Sequence, residues 1–238
     1  MKKANSKFLD LAKRQAFDHE LLLTCYHEAG HTLCALFSLL KVDSVRVASL
    51  KKIKDKTYYR IDGDTSYYTI SELDKIQDLE LLNICLILEL RTIYAGLVAE
   101  KMYYQDISGS NSFPMILKMC SSVDIQQSSI IINKYKLGIP GKERLSFKKK
   151  IIKDIEKIMN IHWDAIKIIA HALYKRKKIS YESIRYLLCK NSKYKFIWKR
   201  KFKLMNIIHN SKIIKESEAK EIIKSDIVLN NSEIKLSL

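Results

Sequence analysis

Apolar residues dominate the chain from Leu21 to Leu40, interrupted chiefly by Thr24, His27, Glu28, His31 and Thr32. That run predicts a largely buried helix from about His19 to Leu40. Val42-Asp43-Ser44-Val45-Arg46-Val47 then alternates in the manner of a strand, and Thr57-Tyr58-Tyr59-Arg60-Ile61 reads as a second strand ending in a turn at Asp62-Gly63-Asp64. Thr69 and Glu72 have the spacing of a capping box for a helix that continues to Tyr104. Another apolar helical run opens around Ser121 and ends near Tyr135. Ile151, Ile155, Ile158, Ile166, Ile169 and Leu173 recur at helical spacing, which predicts one long C-terminal helix with His162 and His171 as packing or surface residues. The pattern as a whole predicts a mainly α protein with a small β-sheet, an α+β fold.

Composition narrows this picture. At 238 residues and 47% hydrophobic content the chain is long enough for one domain of ordinary size with an extension. Two apolar stretches approach the length of a membrane span, but Leu21 to Leu40 is broken by polar groups and Leu81 to Ala99 by Glu89 and Arg91. The basic start, Met1-Lys2-Lys3, leads into Asp10 and Asp18 rather than an apolar stretch, which argues against a signal peptide. Five scattered cysteines without a Cys-x-x-Cys pair read as reduced thiols, and a cytoplasmic location is expected.

His27-Glu28-Ala29-Gly30-His31 carries the chemistry. Residues four apart share a helix face, so both imidazoles can reach one Zn2+ while Glu28 stands beside the metal's water as general base. The plain alternative is two core histidines satisfied by backbone groups. Gly30 weighs against it, because glycine costs about 1 kcal/mol relative to alanine inside a helix and belongs where something approaches closely. Catalytic zinc ordinarily takes three protein ligands, so one more must come from elsewhere.

Ser121-Ser122-Val123-Asp124-Ile125-Gln126-Gln127-Ser128 stands out. The pairing of His-Glu-Ala-Gly-His with a downstream Asp-Ile-Gln-Gln resembles the peptidase domain of FtsH-type ATP-dependent zinc proteases. Ala95-Gly96-Leu97-Val98-Ala99-Glu100, Ser108-Gly109-Ser110-Asn111 and the stretch from Asn160 to Arg185 extend the likeness, which covers about residues 19 to 189. The resemblance implies a zincin-like His-Glu-x-x-His helix in a helical peptidase domain. It also implies Asp124 as third ligand beside His27 and His31, with Glu100 as the alternative ligand or a partner for a histidine. Leu97 and Lys101 depart from the family's usual Arg and second Glu, and Ser112 to Cys120 is a short insertion.

These readings divide the chain into an N-terminal segment, 1–18, a peptidase domain, 19–189, and a basic C-terminal extension, 190–238. The expected function is a zinc-dependent metalloendopeptidase acting on unfolded proteins or peptides. No ATPase motif is present, so a separate ATPase or unfoldase is an expected partner, and the family's rings suggest a homo-oligomer. Edge strands at Tyr58 to Ile61 or Val45 to Ala48 are candidates to hold the peptide. The formal charge of +17 is concentrated between Lys190 and Lys215, where no acidic residue occurs and Tyr194, Phe196, Trp198 and Phe202 interleave with lysines. That segment supports the alternative function, a non-catalytic protein binding nucleic acid, an anionic membrane surface or an acidic partner.

Overall fold

The computed structural model describes residues 2–52, 59–68, 73–109, 122–135, 141–210 and 215–237. Helix α1 (Lys2–Phe37) leads into strands β1 (Lys41–Lys52) and β2 (Tyr59–Tyr68), and a 3-10 turn precedes the long helix α2 (Leu79–Ser108). The remainder is α3 (Ser122–Lys134), α4 (Gly141–Ile161), α5 (Trp163–Arg176), β3 (Lys178–Ser180), α6 (Tyr181–Asn191), α7 (Lys195–Asn210) and α8 (Glu216–Ser237). The protein is mainly helical with a three-stranded antiparallel sheet of order β2-β1-β3.

The core forms around α1, whose residues from Glu28 to Phe37 are all buried. Gly30 is where α2 crosses: a Cβ there would stand 2.6 Å from both the Ala95 carbonyl oxygen and the Ala99 Cβ. Small residues on both helices thus permit a close approach that brings Thr92, Gly96 and Glu100 beside the motif histidines. Helix α2 starts at the N-cap Asp78, whose carboxylate accepts from the amides of Glu80 and Leu81, and ends at Gly109 in the left-handed region (φ 64°). The capping box expected at Thr69 and Glu72 lies outside the described residues. By length and composition α2 could cross a membrane, but 61% of its most apolar window is buried within the fold, as a core helix requires.

Three elements differ from expectation. Helix α1 begins at Lys2 rather than near His19, so residues 2–18 continue the motif helix. Asp62-Gly63-Asp64 is no turn but the middle of β2, paired in register with Ala48, Val47 and Arg46 of β1. The long C-terminal helix is two, broken at His162 (φ −105°, ψ 25°), and the segment after α5 turns at Lys177 (φ 61°) into β3, which pairs Ile179 with Val45. Strand β1 is therefore flanked on both sides from Ser44 to Arg46, and Val47 N donates to the Lys177 carbonyl, which removes Val45 to Val47 as an open edge.

The segment 190–238, read from its charge as an extension, contributes Trp198, Phe202, Met205, Ile208 and Ile223 to the same core as α1 and α2. One face of α7 is apolar and buried, and its lysines divide accordingly. Lys201 is fully buried, whereas Lys199 and Lys203 stay exposed. Helix α8 grips the N-terminus of α2: Lys220 pairs with Asp78 at 2.5 Å, Lys224 with Glu80 at 2.6 Å, and the Glu216 carboxylate accepts from the amide of Asp78 at 3.1 Å. Cys25, Cys34 and Cys85 are buried free thiols, and burial pushes the first two up to about 12.

Candidate metal centre

His27 and His31 are one turn apart on α1, and their Nε2 atoms face each other at 2.8 Å. Helix α3 delivers Asp124 from its first turn, with Oδ2 3.2 Å from His27 Nε2 and 3.5 Å from His31 Nε2. Thus the structure brings together all three residues singled out in the sequence. Glu100, on α2, approaches the other side of His27: its Oε1 is 2.8 Å from Nδ1, not from Nε2. That is the position of a residue that orients a histidine rather than one that shares its metal.

The opposite nitrogen of His31 is also occupied. Nδ1 lies 2.7 Å from the Thr92 carbonyl oxygen. A carbonyl only accepts, so Nδ1 carries the proton and Nε2 presents a lone pair. That lone pair, the His27 Nε2 atom and the buried Asp124 Oδ2 converge, and Oδ2 has no hydrogen-bond partner among the described residues. Such a set of acceptors needs a cation at its centre, either a proton on His27 or a metal. Burial opposes a charge on His27, but the carboxylates of Asp124 and Glu100 outweigh it and hold its pKa well above the ordinary value. Asp124 answers in kind: burial pushes its carboxyl up, yet the two imidazoles hold it well below the usual carboxylate range. Two imidazole nitrogens and one carboxylate oxygen form a donor set that fits zinc.

Gly96 gives the rings their room. A Cβ there would stand 2.5 Å from His31 Nε2 and 2.6 Å from His27 Nε2. Glu28 is 4% exposed, and atoms of His27, Glu28 and His31 lie within 4.8 Å of one another. All face a cleft of about 410 Å³, which Tyr67, Ile93 and Gln127 also line.

The inward positions of β2, of which Gly63 was expected in a turn, complete the site. Gly63, Thr65 and Tyr67 alternate along the strand on one face. A Cβ at Gly63 would collide with the Glu28 carboxylate, Thr65 Oγ1 donates to Glu28 Oε2 at 2.7 Å, and Tyr67 donates to Glu89 Oε1 at 2.8 Å. Burial raises Glu89 and, together with the Glu89 carboxyl, Tyr67. Nothing local to Thr65 signals this role, although glycine inside a strand is the usual mark of a close approach. Elsewhere, His162 is buried in the core and His171 is exposed.

In comparison with known proteins, the chain matches no protein family and no curated protein.

Proposed function

We propose that this chain is a zinc-dependent metalloendopeptidase of the FtsH-peptidase kind, acting on peptides or unfolded segments. The observation that carries the reading is the convergence of His27 Nε2, His31 Nε2 and Asp124 Oδ2 beside the braced carboxylate of Glu28. Those three residues would hold zinc, with Glu100 and the Thr92 carbonyl orienting the rings. When bound, zinc supplies a Lewis acid that lowers the pKa of a water and polarises a carbonyl.

The chain's own residues supply the proton path. Glu28 takes a proton from the attacking water as its oxygen bonds to the scissile carbonyl carbon. The same carboxyl returns that proton to the amide nitrogen as the C–N bond breaks, leaving a carboxylic acid and an amine. Strand β2 is an edge of the sheet, and its inner face borders the cleft. An extended substrate therefore has a strand to pair with, and strand addition holds a peptide through its backbone with little demand on its sequence. An unfolded segment can adopt that conformation, whereas a folded domain cannot.

Metal analysis of the purified chain and casein hydrolysis with and without chelator test the reading. Stoichiometric zinc and chelator-sensitive cleavage are expected. Cleavage that survives complete zinc removal, or zinc binding with no cleavage of any unfolded substrate, overturns it.

A basic groove supports a second function. Helices α6 and α7 border a groove of about 890 Å³ whose walls include Arg185, Lys190, Lys199 and Lys203 against a single carboxylate, Glu182. A polyanion is the complementary ligand.

A further inference from the structure

Resting on the peptidase reading, we propose that Thr65 is a positioning residue for the general base, and that it reserves Glu28 Oε1 as the oxygen that receives the proton. A carboxylate has two oxygens of similar basicity, and a free side chain would offer either. Here the two are not equivalent. Oε2 accepts the Thr65 hydroxyl at 2.7 Å, while Oε1 lies over Gly63 and takes no hydrogen bond from any described residue. The competing acceptor for Thr65, the Glu28 carbonyl oxygen, is farther away at 3.3 Å and already accepts from Thr32 Oγ1 at 2.7 Å. The single hydroxyl proton of Thr65 therefore goes to Oε2.

Gly63 and Thr65 act together. Gly63 removes the side chain that would occupy the place of the carboxylate, and Thr65, two residues on along the same strand face, fixes the carboxylate's rotation. Tyr67, the next inward residue, ties the strand to Glu89 of α2. The base is thus held by a strand anchored to both helices of the site, so its geometry does not depend on a bound substrate. A hydrogen bond to Oε2 draws charge away from the group, and the gain is orientation: a base misplaced by about 1 Å loses on the order of 100-fold in rate.

The test compares Thr65→Val, which keeps the shape and removes the donor, with Thr65→Ser, which keeps the donor. Thr65→Val lowers kcat roughly 10- to 100-fold, the worth of one hydrogen bond to a charged group. KM for a short peptide and zinc stoichiometry stay near wild type, and Thr65→Ser recovers most of the lost rate. An independent readout uses the metal-free protein: Thr65→Val lowers the Tm when Glu28 is present and adds little in a Glu28→Ala background. An unchanged kcat in Thr65→Val, or an equal Tm drop in both backgrounds, overturns the proposal. If the wild-type chain binds zinc and cleaves nothing, the peptidase reading fails, and the thermal cycle still decides the Thr65–Glu28 link.

Discussion

Lys201 donates from Nζ to the Phe37 carbonyl oxygen at 2.7 Å, so a residue of α7 closes the last turn of the helix that carries His27, Glu28 and His31. The same ammonium pairs with Asp226 Oδ2 at 2.7 Å and lies 4.0 Å from the centre of the Phe37 ring. His209 adds a second tie, with Nε2 3.0 Å from the Leu39 carbonyl oxygen. A cation at a helix C-terminus is favoured by the dipole, and here burial strengthens it.

Lys201→Met is accordingly expected to destabilise the protein by about 3 kcal/mol or more, because it leaves Asp226 as a buried carboxylate deprived of its closest partner. Denaturant unfolding measures the loss. Deleting 190–238 removes the five side chains that this segment contributes to the main core, Trp198, Phe202, Met205, Ile208 and Ile223, worth about 1.5 to 3 kcal/mol each, a sum comparable to the whole stability of an ordinary domain. The truncated chain is expected to aggregate or unfold rather than retain an intact site, as circular dichroism and sedimentation would show.

His162 makes stability depend on pH. Burial among Phe37, Tyr194 and Trp198 lowers its pKa from 6.5 to about 4, with Lys201 adding to the effect and Asp164 opposing it. The folded protein binds fewer protons than the unfolded chain between those values, so this contribution is complete above pH 6.5 and lost as the pH falls toward 4. The full span amounts to about 3 kcal/mol. Unfolding curves across this range should flatten in His162→Phe relative to wild type.

Glu28→Gln is expected to keep zinc and lose roughly 10²- to 10⁴-fold in peptide hydrolysis, the ordinary worth of a general base. His31→Ala should lose both metal and activity, whereas Glu100→Gln should weaken zinc affinity by about 10- to 100-fold while leaving the three proposed ligands in place. Metal content and kcat measured together separate the three classes.

Gly96→Ala places a methyl group against both imidazoles, at 2.5 Å from His31 Nε2 and 2.6 Å from His27 Nε2. Alanine is a better helix former than glycine, so propensity alone would raise the stability of α2. The expected outcome is instead a protein that folds and binds zinc poorly, measured by titration with a chelating indicator.

For the groove between α6 and α7, Lys199→Glu with Lys203→Glu should weaken binding of single-stranded oligonucleotides and shift the slope of log K against log salt by about 2 toward zero. Peptide hydrolysis should be unaffected. Binding that ignores both salt and the double substitution would remove the polyanion reading.

Much of the site was legible along the chain. The placement of His27, Glu28 and His31 follows from helical period alone, and Gly30 correctly signalled a close approach, although what approaches is α2. Asp124 was reached through a sequence likeness, and its position opposite the histidines depends on how α3 lies across α2. Glu100 was expected as a ligand or as a histidine's partner, and neither the choice between the two nor the role of Thr92 could be read from period, because which face of α2 meets α1 is set by the Gly30–Ala95 contact.

Strong local codes along the chain sufficed for an α+β assignment, a motif helix with two imidazoles on one face, and a helix opening around Ser121, one residue before its observed start at Ser122. Tertiary structure alone decided three matters. Gly63 and Thr65 belong to a strand only because β1 supplies partners for its backbone, which overrides the turn preference of Asp62-Gly63-Asp64. Helix continuity through His162 gave way to packing of its ring against Phe37 and Trp198. The basic segment became part of the core because one face of α7 carries Trp198, Phe202 and Met205, and burying that face outweighs the cost of enclosing Lys201 once Phe37 and Asp226 satisfy its charge. Net charge is a property of composition, whereas which charges meet water is settled only when the faces of helices find their partners.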